Sequence, residues 1–477
     1  MHRHLFDSAS RWVVATSRWL LAVALIGGSA LAHGSEPADG FARNSTQTRP
    51  NVLVILVDDL GWGDLGCQGA TDLRTDSIDR LFSRSLVFDR FHANCCVCSP
   101  TRASLMTGRY PDAVGVPGVI RTHAENNWGY LADVPTLADQ LGQAGYHTTI
   151  IGKWHLGLDS PNTPLDRGFD RFRGFLGDMM DDYYTHLRHE RNYLRDDRRT
   201  IEVEGHATDL FTQWACEELR VRAEVDQPFF MYLAYNAPHT PIQPPADYLE
   251  RVQERAPNMP PKRQKLVALI EHLDDGIGQV LATLEELQLA DSTIVVFTSD
   301  NGGQIDVGAN NGPWRDGKQS MYQGGLLVPC AIHWPGVTTP GTRVSAPAMT
   351  MDLYPTLCRA AGVEPPASID GIDLAPLLRN QPELESQERE MYFVRREGGQ
   401  RYAGQEIRAL IRGRWKLVQN DPFAPRELYD LETDPGEETD LAASEPARLR
   451  ELAAAMALHL QEGGRVPWQA PAPTPSP

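Results

Sequence analysis

The sequence predicts an α/β fold, with a central, mostly parallel sheet flanked by helices and followed by a small C-terminal antiparallel sheet with a helix. Apolar, β-branched runs such as Asn51–Val57 and Thr293–Ser299 read as strands buried on both faces. Helical candidates lie between those runs, the alternation expected of parallel strands joined by crossovers. From about residue 385 the texture changes to short strand candidates divided by turns, which suits a small antiparallel sheet. A chain of 477 residues can bury a large core and divide into a major and a minor domain. Its composition, 41% hydrophobic and 23% charged without repeats, is that of a globular protein. The net charge of −18 argues against a general binder of nucleic acid or anionic membrane. An anionic substrate would need a local cluster of basic groups to hold it against that field.

The N-terminus reads as a targeting segment. Arg3, Arg11 and Arg18 precede the apolar run Trp19–Ile26, and Ala30-Leu31-Ala32 fits a small-x-small cleavage site. A signal peptide over 1–32 and a polar leader over 33–49 are therefore expected, with export to the periplasm or the extracellular space. The apolar run is short for a membrane span, no later candidate follows, and no cysteine follows it to carry a lipid, so no membrane anchor is expected. The seven cysteines (67, 95, 96, 98, 216, 330 and 358) are an odd number for an exported chain, which leaves at least one unpaired or chemically altered.

Taken in order, the first buried run, Asn51–Val57, ends in Asp58-Asp59. Adjacent carboxylates at the end of a buried strand repel each other and lose hydration, so they call for a cation or strong donors; a helix-capping pair is the alternative. A helical stretch over Thr136–Gly145 precedes the strand Tyr146–Gly152, which runs into Lys153-Trp154-His155. Phe229–Tyr235 runs into Asn236-Ala237-Pro238-His239, and Thr293–Ser299 runs into Asp300-Asn301-Gly302-Gly303. Helices are predicted over Thr208–Glu224 and Lys262–Leu287. Singly, each polar tail reads as an ordinary loop: a solvated lysine, a hydrogen-bonded histidine, an Asp-Asn-Gly turn. Four buried strands ending in polar groups describe one ligand-binding sheet edge, because ligands in such sheets bind outside the carboxyl ends of the strands.

The glycine-rich stretch Gly312–Gly325 carries Lys318 at its candidate functional tip, and Leu326–Trp334 reads as a further strand. Short strands are expected over Met391–Arg395, Ile407–Ile411, Trp415–Val418 and Glu427–Leu431, closed by a helix over Pro446–Gln461. The domains read as a catalytic part over 50–384, a small α+β part over 385–466 and a proline-rich tail over 467–477.

Cys98-Ser99-Pro100-Thr101-Arg102 sits at a helix start, where Pro100 costs no hydrogen bond and free N–H groups favour an anion. A buried structural cysteine beside a helix end is the alternative. This stretch, continued to Thr107-Gly108-Arg109, resembles the signature of the type I, formylglycine-dependent sulfatases of the arylsulfatase A kind. Gly152-Lys153-Trp154-His155-Leu156-Gly157 resembles that family's second signature, and the likeness runs from Pro50 to Leu428-Tyr429-Asp430-Leu431.

The resemblance implies an alkaline-phosphatase-like fold and conversion of Cys98 to formylglycine by a separate maturation enzyme before folding. It implies one calcium ion held by Asp58, Asp59, Asp300, Asn301 and the modified residue 98; oxygen ligands suit such a hard cation. Arg102, Lys153, His155, His239 and Lys318 would form the shell around the sulfate. The chemistry agrees. A serine at position 98 would be left as a stable sulfate ester, whereas a hydrated aldehyde attacks sulfur with one hydroxyl and expels sulfate by deprotonation of the other. Lys153 and Lys318 would stabilise charge on sulfuryl oxygens, and His239, with Lys318, would be the acid toward the leaving alcohol. His155 would be the base for elimination, and Arg102 would hold residue 98. Two departures bear on substrate contacts: Asp178-Met179-Met180-Asp181-Asp182 stands where some members carry a serine, and Gln323 stands where glutamate is expected. The substrate expected is a sulfated small molecule or glycan. The rivals are a phosphate-ester hydrolase of the same superfamily, which a serine or threonine at position 98 would favour, and a sulfated-glycan binder without turnover if residue 98 is not matured.

Overall fold

The structure is a computed structural model, described over residues 49–122, 131–381, 389–397 and 404–467. The predicted signal peptide, nearly all of the leader and the tail from residue 468 lie outside the described residues. Seven consecutive residues of β1 (Asn51–Val57) are buried, as a strand with neighbours on both edges and helices on its faces requires. It is central to a ten-stranded sheet whose other strands, in chain order, are β2 (Leu86–Phe88), β3 (His147–Lys153), β4 (Arg171–Phe175), β5 (Leu194–Asp196), β6 (Arg199–Thr200), β7 (Phe229–Ala234), β8 (Thr293–Ser299), β9 (Cys330–His333) and β10 (Arg343–Val344). The spatial order is β10-β2-β9-β8-β1-β7-β3-β4-β5-β6. The block β8-β1-β7-β3-β4 is parallel, and β9 and β5 join its edges antiparallel. The mostly parallel reading thus holds for the centre, with antiparallel additions at both margins.

The helices that flank the sheet include α1 (Asp76–Ser83), α2 (Cys98–Thr107), α3 (Leu137–Gln143), α4 (Ala207–Ala223), α5 (Ala246–Arg255), α6 (Pro261–Glu286), α7 (Gln323–Leu326) and α8 (Leu353–Ala360), with one further turn of helix at Ala375–Leu378. The long α6 packs on α1, α4 and α5, while α2, α3 and α8 pack on one another. Thr136 and Asp139 close a capping box at α3: the Thr136 hydroxyl accepts from Asp139 N–H at 3.1 Å, and the Asp139 carboxylate accepts from Thr136 N–H at 2.9 Å. The expected strand Leu326–Trp334 is only partly a strand. Gln323–Leu326 form the short α7 and pairing begins at Cys330, because Gly324 packs directly under the backbone of Asp316.

The C-terminal sheet runs β11 (Glu390–Arg396), β12 (Glu406–Arg412), β13 (Trp415–Gln419) and β14 (Glu427–Asp430), all antiparallel, followed by α9 (Pro446–Gly463). Its side chains alternate with the strand period. Tyr392, Val394, Leu410, Leu417 and Leu428 pack with Leu452 and Met456 of α9. Met391, Phe393, Ala409, Ile411 and Val418 face Cys95, Cys96, Val97, Met321, Tyr322 and Leu326. The small sheet therefore lies directly behind the stretch leading into Cys98 and behind the Lys318 loop. The described residues form one compact unit. All seven cysteines are free thiols, which agrees with at least one being unpaired and singles out no residue.

Candidate active site

The polar tails converge. Backbone hydrogen bonds pin the strand ends to their neighbours: Asp58 N–H donates to Ala237 C=O and Asp300 N–H to Val57 C=O, both at 3.1 Å. Asp59 leaves β1 with φ of 66°, a left-handed conformation that a non-glycine residue adopts only when its surroundings impose it. Here Asp59 N–H donates to Asp300 Oδ1 at 3.2 Å, and Asn301 Nδ2 donates to Asp59 Oδ1 at 2.7 Å. His155, just beyond β3, is left-handed as well, at 61°. The loops after β1 and β8 meet closely at Gly303, where a Cβ would lie 2.9 Å from Gly61, and Gly302 lets the Lys318 loop approach in turn: a Cβ there would lie 1.8 Å from the Gly324 carbonyl oxygen.

Into this carboxylate cluster project three cations. Arg102, wholly buried on α2, donates to Asp300 Oδ2 through Nε at 3.0 Å and Nη2 at 2.8 Å, to Asp58 Oδ2 at 3.2 Å and to the Lys153 carbonyl at 2.9 Å. It is thus committed to ordering carboxylates. Lys153 Nζ donates to Asp58 Oδ2 at 2.5 Å. Lys318 Nζ donates to Asp59 Oδ2 at 2.7 Å and to His239 Nε2 at 2.9 Å. The His239 Nδ1 must carry hydrogen, since it bonds the Thr240 carbonyl at 2.7 Å, so its Nε2 is the lone-pair acceptor. Burial and the Lys318 ammonium push the His239 pKa down, whereas Lys318 is raised by Asp59 against its own burial. The proton of this pair rests on Lys318. His155 is similar in kind: Nε2–H is committed to the Ile120 carbonyl at 2.7 Å, Nδ1 is buried without a partner, and burial with Lys153 and Arg102 nearby keeps the ring neutral.

Cys98 is the first residue of α2, not the residue ahead of it, and is 3% exposed. Val97 caps the helix without a side-chain hydrogen bond, leaving first-turn N–H groups available. Burial drives the thiol pKa far up, opposed by Lys153 and reinforced by Asp58. Unmodified, it is a poor nucleophile at neutral pH.

The cluster fits a hard cation. Asp58 Oδ1 and Asn301 Oδ1 are buried oxygens without hydrogen-bond partners, an expensive arrangement unless something binds them. Ligand atoms of Asp58, Asp59, Cys98 and His239 lie within 4.8 Å of one another. Burial and the negative neighbours Asp58 and Asp59 lift Asp300 to about 7, despite Arg102; a bound cation would return it to the carboxylate. Asp58 is held far below its ordinary range, its burial outweighed by the Lys153, Arg102 and Lys318 cations.

All the predicted site residues therefore lie in one neighbourhood, though Asp300 is spoken for by Arg102 and the Asp59 N–H. The segment Asp178–Asp182 is engaged with protein groups: Asp178 accepts from Arg188 Nε at 3.0 Å, and Asp181 from Arg188 Nη1 at 2.7 Å. One residue escaped sequence reasoning. The buried Tyr183 hydroxyl lies 2.9 Å from both the Asn236 and His239 carbonyls, fixing the His239 loop. A tyrosine in a polar segment gives no sign of such a role.

A mixed sheet with buried carboxylates, basic groups and a helix start at its edge defines a hydrolase of the alkaline-phosphatase-like class. Comparison with known proteins narrows this. The sulfatase family profile matches residues 50–363, and that of the C-terminal part of N-sulphoglucosamine sulphohydrolase matches residues 312–463. Human N-acetylgalactosamine-6-sulfatase is 33% identical over 363 residues, spanning 71% of this chain and 67% of that protein. Mouse steryl-sulfatase is 29% identical over 520 residues, spanning 84% and 80%. Among solved structures, Ps i-CgsB in complex with k-i-k-neocarrahexaose superposes with a TM-score of 0.81 at 29% identity, covering 89% of this chain and 96% of that one. BT4656 in complex with D-glucosamine-2-N,6-O-disulfate shares the fold at a TM-score of 0.70 and 22% identity, covering 89% and 100%. The chain belongs to the sulfatase family and is a sulfuric ester hydrolase. No helix among the described residues is long and apolar enough to cross a membrane.

Proposed function

We propose that this protein, exported from the cell, removes sulfate from sulfated carbohydrates, using residue 98 after its conversion to formylglycine by a separate maturation enzyme. The observation that carries the reading is the burial of Cys98 at a helix start, in one cluster with Asp58, Asp59 and His239. The N-acetylgalactosamine-6-sulfatase relatives and the k-i-k-neocarrahexaose complex of Ps i-CgsB support a sugar as the sulfate carrier. The catalytic part is assigned to residues 50–384 and the small sheet part to 385–466.

The hydrated aldehyde supplies a nucleophilic hydroxyl for sulfur and a second hydroxyl whose deprotonation releases sulfate. Calcium, held by Asp58, Asp59, Asn301, Asp300 and residue 98, would supply positive charge beside the reacting oxygens. The protein's own groups do the rest. Lys153 and Lys318 place ammonium charge where the sulfuryl oxygens become more negative. Lys318 holds the proton of its pair with His239 and delivers it to the departing alcohol oxygen, and His239 Nε2 fixes the ammonium's direction. His155 offers Nδ1 as the acceptor in the release step, its tautomer set by the Ile120 carbonyl. Arg102 keeps Asp58 and Asp300 in register.

The test is mass spectrometry of the residue-98 peptide from protein made with a maturation enzyme, together with a desulfation screen over defined sulfated saccharides. An aldehyde in place of the thiol is expected, with turnover lost in Cys98→Ala and Asp58→Ala while far-ultraviolet circular dichroism is retained. Full activity with an unmodified thiol at position 98 would overturn the mechanism.

A further inference from the structure

Lys318 lies on a loop, and loops do not hold a proton donor in place unaided. Straps from the C-terminal sheet reach this one. Lys416 of β13 is wholly buried, with Nζ 2.6 Å from Glu437 Oε1 and 3.2 Å from Gln323 Oε1. The other Glu437 oxygen accepts from Gln323 N–H at 2.6 Å. Arg315, three residues before Lys318, donates to the Glu437 carbonyl at 2.6 Å and to the Tyr429 hydroxyl at 2.9 Å, with its guanidinium 3.7 Å from the Tyr322 ring centroid. Asn420 Oδ1 accepts from Met321 N–H at 2.7 Å, and Asn420 Nδ2 reaches Ser320 Oγ at 3.3 Å. The loop's active-site side is tied by Lys318 N–H to the Gly303 carbonyl at 3.0 Å and by Gln319 N–H to the Cys96 carbonyl at 2.9 Å.

The charge arithmetic is specific. One buried ammonium faces one buried carboxylate, and the third member, Gln323, is neutral. Glutamate, the residue expected at position 323, would put two carboxylates on Lys416 in a buried site, and an unbalanced buried charge is strongly unfavourable. In this chain the countercharge stands on Glu437, on the segment after β14.

We propose that Lys416 and Glu437, with Gln323 as the neutral third member, form a positioning clamp through which the C-terminal sheet sets Lys318 against Asp59 and His239. The proposal rests on the reading of Lys318 as a group facing the sulfate. The clamp acts through the loop and touches no substrate.

The experiment compares wild type with Glu437→Gln, Gln323→Glu and the double variant, which carries the carboxylate back to position 323. Asn420→Ala removes a half-buried strap without stranding a charge, and covers the case in which Glu437→Gln does not fold. Two readouts are taken. The first is the rate of Lys318 acylation by an amine-reactive ester, followed by peptide mass spectrometry, with buried Lys153 as internal reference. The second is kcat and KM for 4-nitrophenyl sulfate and for phenyl sulfate, whose poorer leaving group depends more on a proton donor. Each charge-changing single variant is expected to raise Lys318 acylation several-fold. Each should also lower kcat for phenyl sulfate by ten- to a hundredfold, the cost of a misplaced group, with a smaller loss for 4-nitrophenyl sulfate. The double variant should recover most of both, and Asn420→Ala should show a weaker form of the same pattern. A lower melting temperature with unchanged acylation and an unchanged ratio between the two esters would reduce the network to a structural role and overturn the clamp. A double variant as impaired as the worse single would overturn the charge-balance argument. If the wild type turns over neither ester yet Lys318 acylation follows the expected order, the clamp stands and the functional reading of Lys318 fails.

Discussion

At the scale of single residues, the site is a set of protons assigned by neighbours. The Thr240 carbonyl fixes hydrogen on His239 Nδ1, which makes Nε2 an acceptor and leaves the transferable proton on Lys318. Lys318→Met is therefore expected to slow phenyl sulfate far more than 4-nitrophenyl sulfate, since a stable phenolate leaves without help; equal losses for the two would assign Lys318 a purely electrostatic role. A different residue contributes to the dependence of stability on pH. Burial raises the Asp112 carboxyl to about 6 from 3.8, and its Oδ2 has no hydrogen-bond partner. The native state then keeps a proton that the unfolded chain releases, so this group's contribution to stability falls as pH rises from about 4 through about 6. Asp112→Asn should unfold at a higher temperature than wild type at pH 8, with a gain on the order of 2–3 kcal/mol from a shift of that size, and the difference should vanish near pH 4. Thermal unfolding at the two pH values checks both the sign and the window.

At the scale of elements, legibility followed burial. The strands Asn51–Val57, Phe229–Ala234 and Thr293–Ser299 announce themselves because both of their faces are covered, so their centres are continuously apolar, while His147–Lys153 keeps only Ile150-Ile151 as its apolar centre. Their polar tails gave the site, since charge set abruptly at the end of a buried strand is costly unless a ligand or a counter-ion answers it. Arg171–Phe175 gave no such signal: Arg171 and Arg173 pair with acidic residues at the sheet margin, so the sequence Arg-Phe-Arg-Gly-Phe reads as mixed. Tyr183 and the Lys416–Glu437 pair were equally invisible, because each acts through contacts far along the chain or across two layers. Parity of the cysteine count required only one unpaired thiol and could not show that none is paired and six are buried. The glycines of the Asp300 loop belong to this scale too. Gly302→Ala must move either the Asp300-Asn301 turn or the Gly324 carbonyl, and is expected to lower kcat at least tenfold by displacing the carboxylates. Retained kcat in that variant would show that the two loops yield without disturbing the cluster.

At the scale of the whole molecule, the sequence carries a net charge of −18 while the reaction requires an anion to enter. The basic groups that receive it are buried and already paired with carboxylates, so they project little field into solvent. Long-range repulsion should therefore oppose encounter with polyanionic substrates, and salt should relieve it. For a multiply sulfated oligosaccharide, kcat/KM is expected to rise as ionic strength increases from about 0.01 M to about 0.15 M, the range over which the screening length shortens from about 30 Å to about 8 Å. A decrease over that range would reveal an attractive basic path to the site that outweighs the total charge.

The burial of residue 98 has one more consequence, and it concerns time. With 3% exposure at the start of a helix and the small sheet packed behind the stretch leading into it, the thiol is out of reach of any second protein once the chain has folded. Under the proposed conversion of residue 98, modification and folding are then competing first events in the life of each molecule, and the winner is not revisited. The active fraction of a preparation becomes a ratio of two rates, frozen at synthesis. No later incubation with the maturation enzyme would raise it unless the chain were first unfolded.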